Sequence, residues 1–206
     1  MPRNLETSRK MRDESREKIL GTALKLFAVR GVAAAKIGDI AKEAEISQGL
    51  LYHYFGSKND IYVELVRTAY ANMNEAARWL SKQDLSPREK IELAIDRLMQ
   101  GIVENEAAGY YYLLMANAAI SDATPEPARE IIRKQNPLRY RVMSKIFTQA
   151  MEQGDVPHSA PDRLALLFWS TFTGLAITRA TQGKRFPAPD SETVKAMFLA
   201  NRPEHK

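Results

Sequence analysis

Apolar positions recur along this chain at three- and four-residue spacing, the period of a helix that buries one stripe. Ile19, Ala23, Leu26 and Phe27 make the first stripe, in a helix predicted over about 13–30, with Gly31 placed to stop it. Ile37, Ile40, Ala41 and Ala44 mark a short helix near 37–44. After a break at Glu45-Ile46, Leu51 and Phe55 form the i,i+4 pair of a second short helix near 48–54. Ser57 as N-cap, with Asp60 three residues on, opens a helix over roughly 58–81 whose stripe runs from Ile61 through Leu65, Ala69, Met73 and Ala76 to Leu80. Ser86-Pro87-Arg88-Glu89 reads as a capping box with proline at the first helical position. It leads into Ile91, Leu93, Ile95, Leu98, Met99 and Ile102. Later helices are predicted over about 106–120, 127–153, 161–182 and 190–200, separated by prolines and by Gly154. Pro137 should kink, break or restart the second of these. No stretch alternates like a strand, so the expected fold is all-α, with about nine helices.

Residues 36–58 stand apart. Opposite the Leu51/Phe55 pair, the second short helix shows water Gly49, Leu50 and His53, flanked by Tyr52 and Tyr54, with Ser47 and Gln48 at its start and no acid. A helix this short is not stable alone. Small, neutral and ring side chains on its free face suit insertion into a groove, the logic of a helix-turn-helix whose second helix enters the DNA major groove. This divides the chain into an N-terminal three-helix DNA-binding domain, 1–57, and a larger helical domain, 58–206.

Composition narrows the class without naming it. The chain has 206 residues, 45% hydrophobic and 27% charged, the make-up of a globular protein with a sizeable core. Its net charge of +5 leans weakly towards polyanions, and the basic residues Arg3, Arg9, Lys10 and Arg12 contribute to it as either a solvated tail or a groove-contacting arm. With no cysteine there is no disulfide or thiolate chemistry, and the polar first residues lack the apolar centre of a signal peptide. The most apolar run, Leu164 to Ile177, is too short to span a bilayer. A cytoplasmic location and no membrane partner are therefore expected.

Helix 161–182 is apolar nearly all round, so it should be covered on two sides. One side faces the chain's own core; a second copy is the simplest cover for the other, with Phe168, Trp169, Phe172 and Leu175 expected at the interface of a homodimer. The alternative is a helix central to a monomeric core.

The block from Leu26-Phe27-Ala28-Val29-Arg30-Gly31, through Ile37-Gly38-Asp39-Ile40-Ala41-Lys42-Glu43-Ala44, Ile46-Ser47 and Leu51-Tyr52-His53-Tyr54-Phe55, to Ser57-Lys58 resembles the DNA-binding domain of TetR-family bacterial transcription regulators. The resemblance implies that Ser47, Gln48, Gly49, Leu50, Tyr52, His53 and Tyr54 meet bases and phosphates of a double-stranded operator, and that Ser57 and Lys58 meet a phosphate. Chemistry assigns base reading to Gln48, Leu50 and His53, and phosphate contact to the tyrosine hydroxyls. Tyr54 is equally readable as core. Three positions depart from the family's pattern: Glu45 stands at the turn glycine, Ala35 at the capping threonine, and Gly38 where some members carry a base-reading arginine. The resemblance also implies a small-molecule inducer bound between the helices of 58–153. Helical spacing puts Tyr110, Leu113, Leu114 and Asn117 on one face, and Tyr110, Met115 and Asn117 are named as ligand candidates, with Trp79, Met99 and Phe147 beside them. The plain alternative for such a stripe is core.

The implied function is a repressor that binds a palindromic operator as a dimer and is released by the inducer; a ligand-dependent activator would carry the same features. Catalysis is not expected. His53, His158 and His205 are scattered, no pair has metal-ligand spacing, and there is no phosphate-cradling loop, so no cofactor or metal is called for. A helical protein-interaction module is the remaining rival, which the rings and Lys58 disfavour.

Overall fold

Each start signal in the sequence opens a helix in the computed structural model, which describes residues 2–200, with side chains from Arg9 onward. Among the described residues there are α1 (Pro2–Ala34), α2 (Ile37–Glu43), α3 (Gln48–Tyr54), α4 (Lys58–Ser81), α5 (Pro87–Glu104), α6 (Glu106–Ile120), α7 (Glu126–Glu152), α8 (Pro161–Gln182) and α9 (Ser191–Phe198), a 3-10 turn at Gly183–Arg185, and no strand. Ser57 accepts from the Asp60 amide to start α4, and Ser86 and Glu89 form the reciprocal capping box of α5.

Two predictions change. The stretch read as a basic tail is helical: α1 begins at Pro2, and Lys10 pairs with Glu14 one turn on at 3.9 Å. Arg9, Lys10 and Arg12 lie exposed on it, and the Arg3 side chain falls outside the described residues. Gly31, with φ 75°, bends the last turn of α1 away, the freedom only glycine supplies cheaply. Pro137 sits inside α7 and neither breaks nor restarts it. Nearby, the buried Asn74 of α4 donates to the Gln135 carbonyl at 3.0 Å and ties α7 to α4 two residues before the proline.

Two cores result. The first gathers Ile19, Phe27, Ile40, Leu51, Phe55, Ile61 and Leu65 from α1 to α4, with Phe27 edge-on to Tyr62 at 5.3 Å. It also takes in Leu114, Met115 and Ala118 of α6, and Asn117 donates to the Ala28 carbonyl of α1 at 2.9 Å. The first core therefore reaches past residue 57 into the second half of the chain. The second core packs Phe147, Phe168, Phe172 and Phe198 from α7, α8 and α9 against α5. α6 and α8 cross at Gly109, where a Cβ would stand 2.6 Å from the Ala176 carbonyl oxygen.

The expected interface residues on α8 need correcting. Phe168, Trp169 and Phe172 are buried within this chain, and Leu175 packs half-buried on the second core. The opposite face is the uncovered one, with Leu166 and Leu167 at 55% and 58% exposure. An all-apolar helix has two faces of equal appeal, and periodicity cannot say which of them the chain keeps for itself.

Candidate nucleic-acid interface and ligand cavity

Leu51 and Phe55 anchor α3 to the first core and leave Ser47, Gln48, Gly49, Leu50, Tyr52 and His53 exposed on its other side. Ser47 caps the helix, its Oγ accepting from the Leu50 amide at 3.1 Å. Tyr54 is half-buried against the first core, while its ring meets His53 edge-on at 5.7 Å. Gln48 lies over α2: a Cβ on Gly38 would come within 2.9 Å of the Gln48 Nε2. The missing side chain at Gly38 is thus the space that the Gln48 amide uses.

Lys58 is held more firmly than its sequence position suggests. Its Nζ donates to the Ala35 carbonyl at 2.9 Å and the Ala33 carbonyl at 3.4 Å, carbonyls at the end of α1. Together with Tyr52 and Ser57 it lines a shallow recess between the end of α1 and the start of α4. The first backbone N–H groups of α4 and a fixed ammonium lie beside that recess, an arrangement suited to a phosphate oxygen. Ser57 itself is engaged with Asp60, its hydroxyl donating to Oδ2 at 2.9 Å.

The turn between α2 and α3 accommodates Glu45 in the left-handed region, at φ 54°. Two hydrogen bonds close it: Ile46 N–H to the Ala41 carbonyl at 3.0 Å and Glu45 N–H to the Lys42 carbonyl at 3.1 Å. This is the Schellman pattern, which glycine serves best. Lys18 of α1 reaches Glu45 at 2.7 Å and holds its carboxyl below the usual range, through a hydrogen bond and charge attraction. α2 has no side-chain cap, and its N-cap residue is Lys36, one place after the Ala35 expected there.

The second feature is a partly open cavity of about 610 Å³ lined by α4, α5, α6, α7 and α8. Its walls are apolar and aromatic: Met73, Trp79, Leu98, Tyr111, Tyr112, Met115, Met143, Phe168 and Trp169 among them, with Asn72, Glu75 and Arg97 as polar members. Burial pushes the Tyr112 phenol up to about 12, so it remains a neutral hydroxyl. Of the ligand candidates, Met115 and Trp79 line the cavity. Tyr110, Asn117, Met99 and Phe147 do not. Tyr110 and Asn117 do share a face of α6, but that face packs on α1, and Met99 and Phe147 are spent in the second core. Tyr111 and Tyr112, one and two residues further along α6, and Trp169 of α8 were missed. The run Tyr110-Tyr111-Tyr112 was the available signal, and it could not say which ring turned inward.

Among the described residues no group of acids and histidines could hold a metal ion, and no helix is long and apolar enough to cross a membrane.

Comparison with known proteins agrees with the first feature. Residues 19–65 match the family described as bacterial regulatory proteins, tetR family. The chain is 37% identical over 62 residues to the HTH-type transcriptional regulator AcrR of Shigella flexneri, covering 30% of this chain and 29% of that protein. To the HTH-type transcriptional activator FasR of Mycolicibacterium smegmatis it is 27% identical over 128 residues, 62% of this chain and 57% of that protein. These alignments therefore span less than two thirds of the relatives' own length. Over its whole fold the chain is similar to the ketosteroid transcriptional regulator KstR2 of Mycobacterium tuberculosis, with a TM-score of 0.72 and 20% identity, covering 90% of this chain and 95% of that one. The match to the tetR family covers residues 19–65, which hold α2, α3 and parts of the helices on either side of them, and the all-helical architecture continues beyond it.

Proposed function

We propose that this protein is a transcriptional repressor that binds a palindromic operator as a homodimer and is released when a small molecule fills the cavity. One observation carries the reading: the exposed face of α3, from Ser47 to His53, is free of acids and anchored from behind by Leu51 and Phe55. Two such faces in a two-fold dimer must stand about 34–36 Å apart to enter successive major grooves. The uncovered Leu166 and Leu167 of α8 supply apolar surface for pairing the copies. The cavity bears on that spacing because α4 runs from the DNA-binding end into its wall, from Lys58 to Trp79 and Leu80. A ligand changes the spacing only by binding two arrangements of α4 with different affinity.

Selection from a random duplex pool tests this. An inverted repeat should be enriched, and its binding should weaken steeply as salt rises. Enrichment of single, unrepeated sites, or binding indifferent to salt, would overturn the reading. Reporter expression separates an activator of the same fold: deleting the protein should raise expression from its operator, and a fall would reverse the proposed sign.

A further inference from the structure

Arg139 of α7 is 8% exposed, and among the described residues no carboxylate pairs with it. Its Nε has no hydrogen-bond partner at all. Its terminal nitrogens meet the Met73 sulfur at 3.1 Å, a weak acceptor, and the Tyr140 hydroxyl at 3.5 Å, and the Tyr70 hydroxyl also accepts from the guanidinium. Three rings surround the guanidinium, Tyr140 at 4.9 Å, Trp169 at 5.5 Å and Tyr70 at 5.7 Å. Ring faces and neutral acceptors offset part of the cost of burying a cation, but they leave the Nε–H unsatisfied and the charge without a counter-ion. A buried charge with open donors is normally matched by an anion.

The position of that charge says where such an anion would come from. Met73 and Trp169, which flank Arg139, both line the cavity, and so does Tyr112, whose phenol feels the Arg139 charge. Arg139 therefore stands directly behind one wall of the void, with the flexible thioether of Met73 as the contact an incoming acceptor would displace. The rest of the wall is hydrocarbon and ring, suited to an apolar body. We propose that the cavity takes an amphipathic carboxylic acid, its apolar body along Trp79, Leu98 and Met143 and its carboxylate on Arg139. This rests on the reading of the cavity as the ligand site and adds the class of ligand to it. A planar carboxylate matches the fork of the guanidinium in a way a hydroxyl cannot. Displacing Met73 and drawing charge away from Tyr70 acts on two residues of α4, the helix that leads to the DNA-binding end.

The two tryptophans of the chain, Trp79 and Trp169, both line the cavity, so intrinsic fluorescence reports its filling. The full chain is titrated with decanoate, 1-decanol and decylamine. Decanoate should bind more tightly than 1-decanol by about tenfold or more, the lower end for a charged hydrogen bond, and decylamine should bind worst. In Arg139→Met the preference for the acid should vanish while 1-decanol binds as before. Equal binding of acid and alcohol to the parent, or a preference surviving in Arg139→Met, would overturn the proposal and leave the cavity reading standing. If none of the three probes changes the fluorescence, the ligand-site reading fails and the proposal falls with it. The parent comparison decides even if the variant does not fold.

Discussion

The end proposed to face DNA and the cavity end of this molecule are built on opposite plans. At the first, the short helix α3 presents one exposed face, and two side chains behind it, Leu51 and Phe55, fix it to a filled core. At the second, residues from Ala69 to Trp169 on five helices surround a space that none of them fills. A surface made by one helix inherits the helical period, so its members are set by local chemistry. A void is defined by what neighbouring helices leave unfilled, which is a property of packing angles and side-chain lengths together. The difference extends to cohesion: side chains lining a void lack contact partners on one side, whereas Phe27, Ile40 and Leu51 in the first core are buried all round.

The sharpest way to break this contrast is to cut one large side chain from each end. Phe27→Ala, at a fully buried position, should cost about 3–5 kcal/mol in urea unfolding. Leu98→Ala, half-buried on the cavity wall, should cost about 1 kcal/mol, because much of its surface already faces empty space. Equal costs would mean that the cavity is packed in solution and that the two ends do not differ.

This asymmetry also governed what could be read from the residues. Ile19, Phe27, Ile40, Leu51 and Phe55 are all buried as their spacing required, and the helix starts at Ser47, Ser57 and Ser86 carry their caps. The exposed face of α3 followed from the same arithmetic. At the other end, Tyr110 and Asn117 were placed together correctly but assigned to the wrong neighbour, since a stripe shows that a face is buried and not what buries it. Phe168 and Phe172 on α8 illustrate the same limit. Arg139 had no local signal: it is one arginine among several on α7, and only the fold buries it away from acids.

Within the end proposed to face DNA, smaller changes separate reading from holding. Gln48→Ala should alter preference at one base pair by about 1–3 kcal/mol, measured by repeating site selection with the variant. Gly38→Ala, whose new methyl would meet the Gln48 amide, should shift preference at that same base pair. Identical selected sites for parent and variants would remove Gln48 from base reading. Lys58→Met should instead weaken binding to every sequence and lower the salt slope by about one. An unchanged slope with reduced stability would show that Lys58 serves only to tie α4 to the carbonyls of Ala33 and Ala35.

The smallest effect expected is a gain. Glu45 holds a left-handed conformation that costs a side chain about 1–2 kcal/mol, so Glu45→Gly should relieve strain without disturbing the two hydrogen bonds of the turn. Against this stands the lost ion pair to Lys18, whose exposure limits its worth. The net result at neutral pH should be a rise of about 2–4 °C in the unfolding midpoint. Acidity makes the balance testable. The Lys18 contact lowers the Glu45 pKa on folding, so the stability it lends is present above the ordinary carboxylate range and disappears as pH falls through the lowered value. The parent loses that support in acid and the glycine variant has none to lose, so the gap between them should widen as pH drops. A gap that narrows in acid would show that the ion pair is not what offsets the strain at Glu45, and that the turn is held by the fit of α2 to α3 alone.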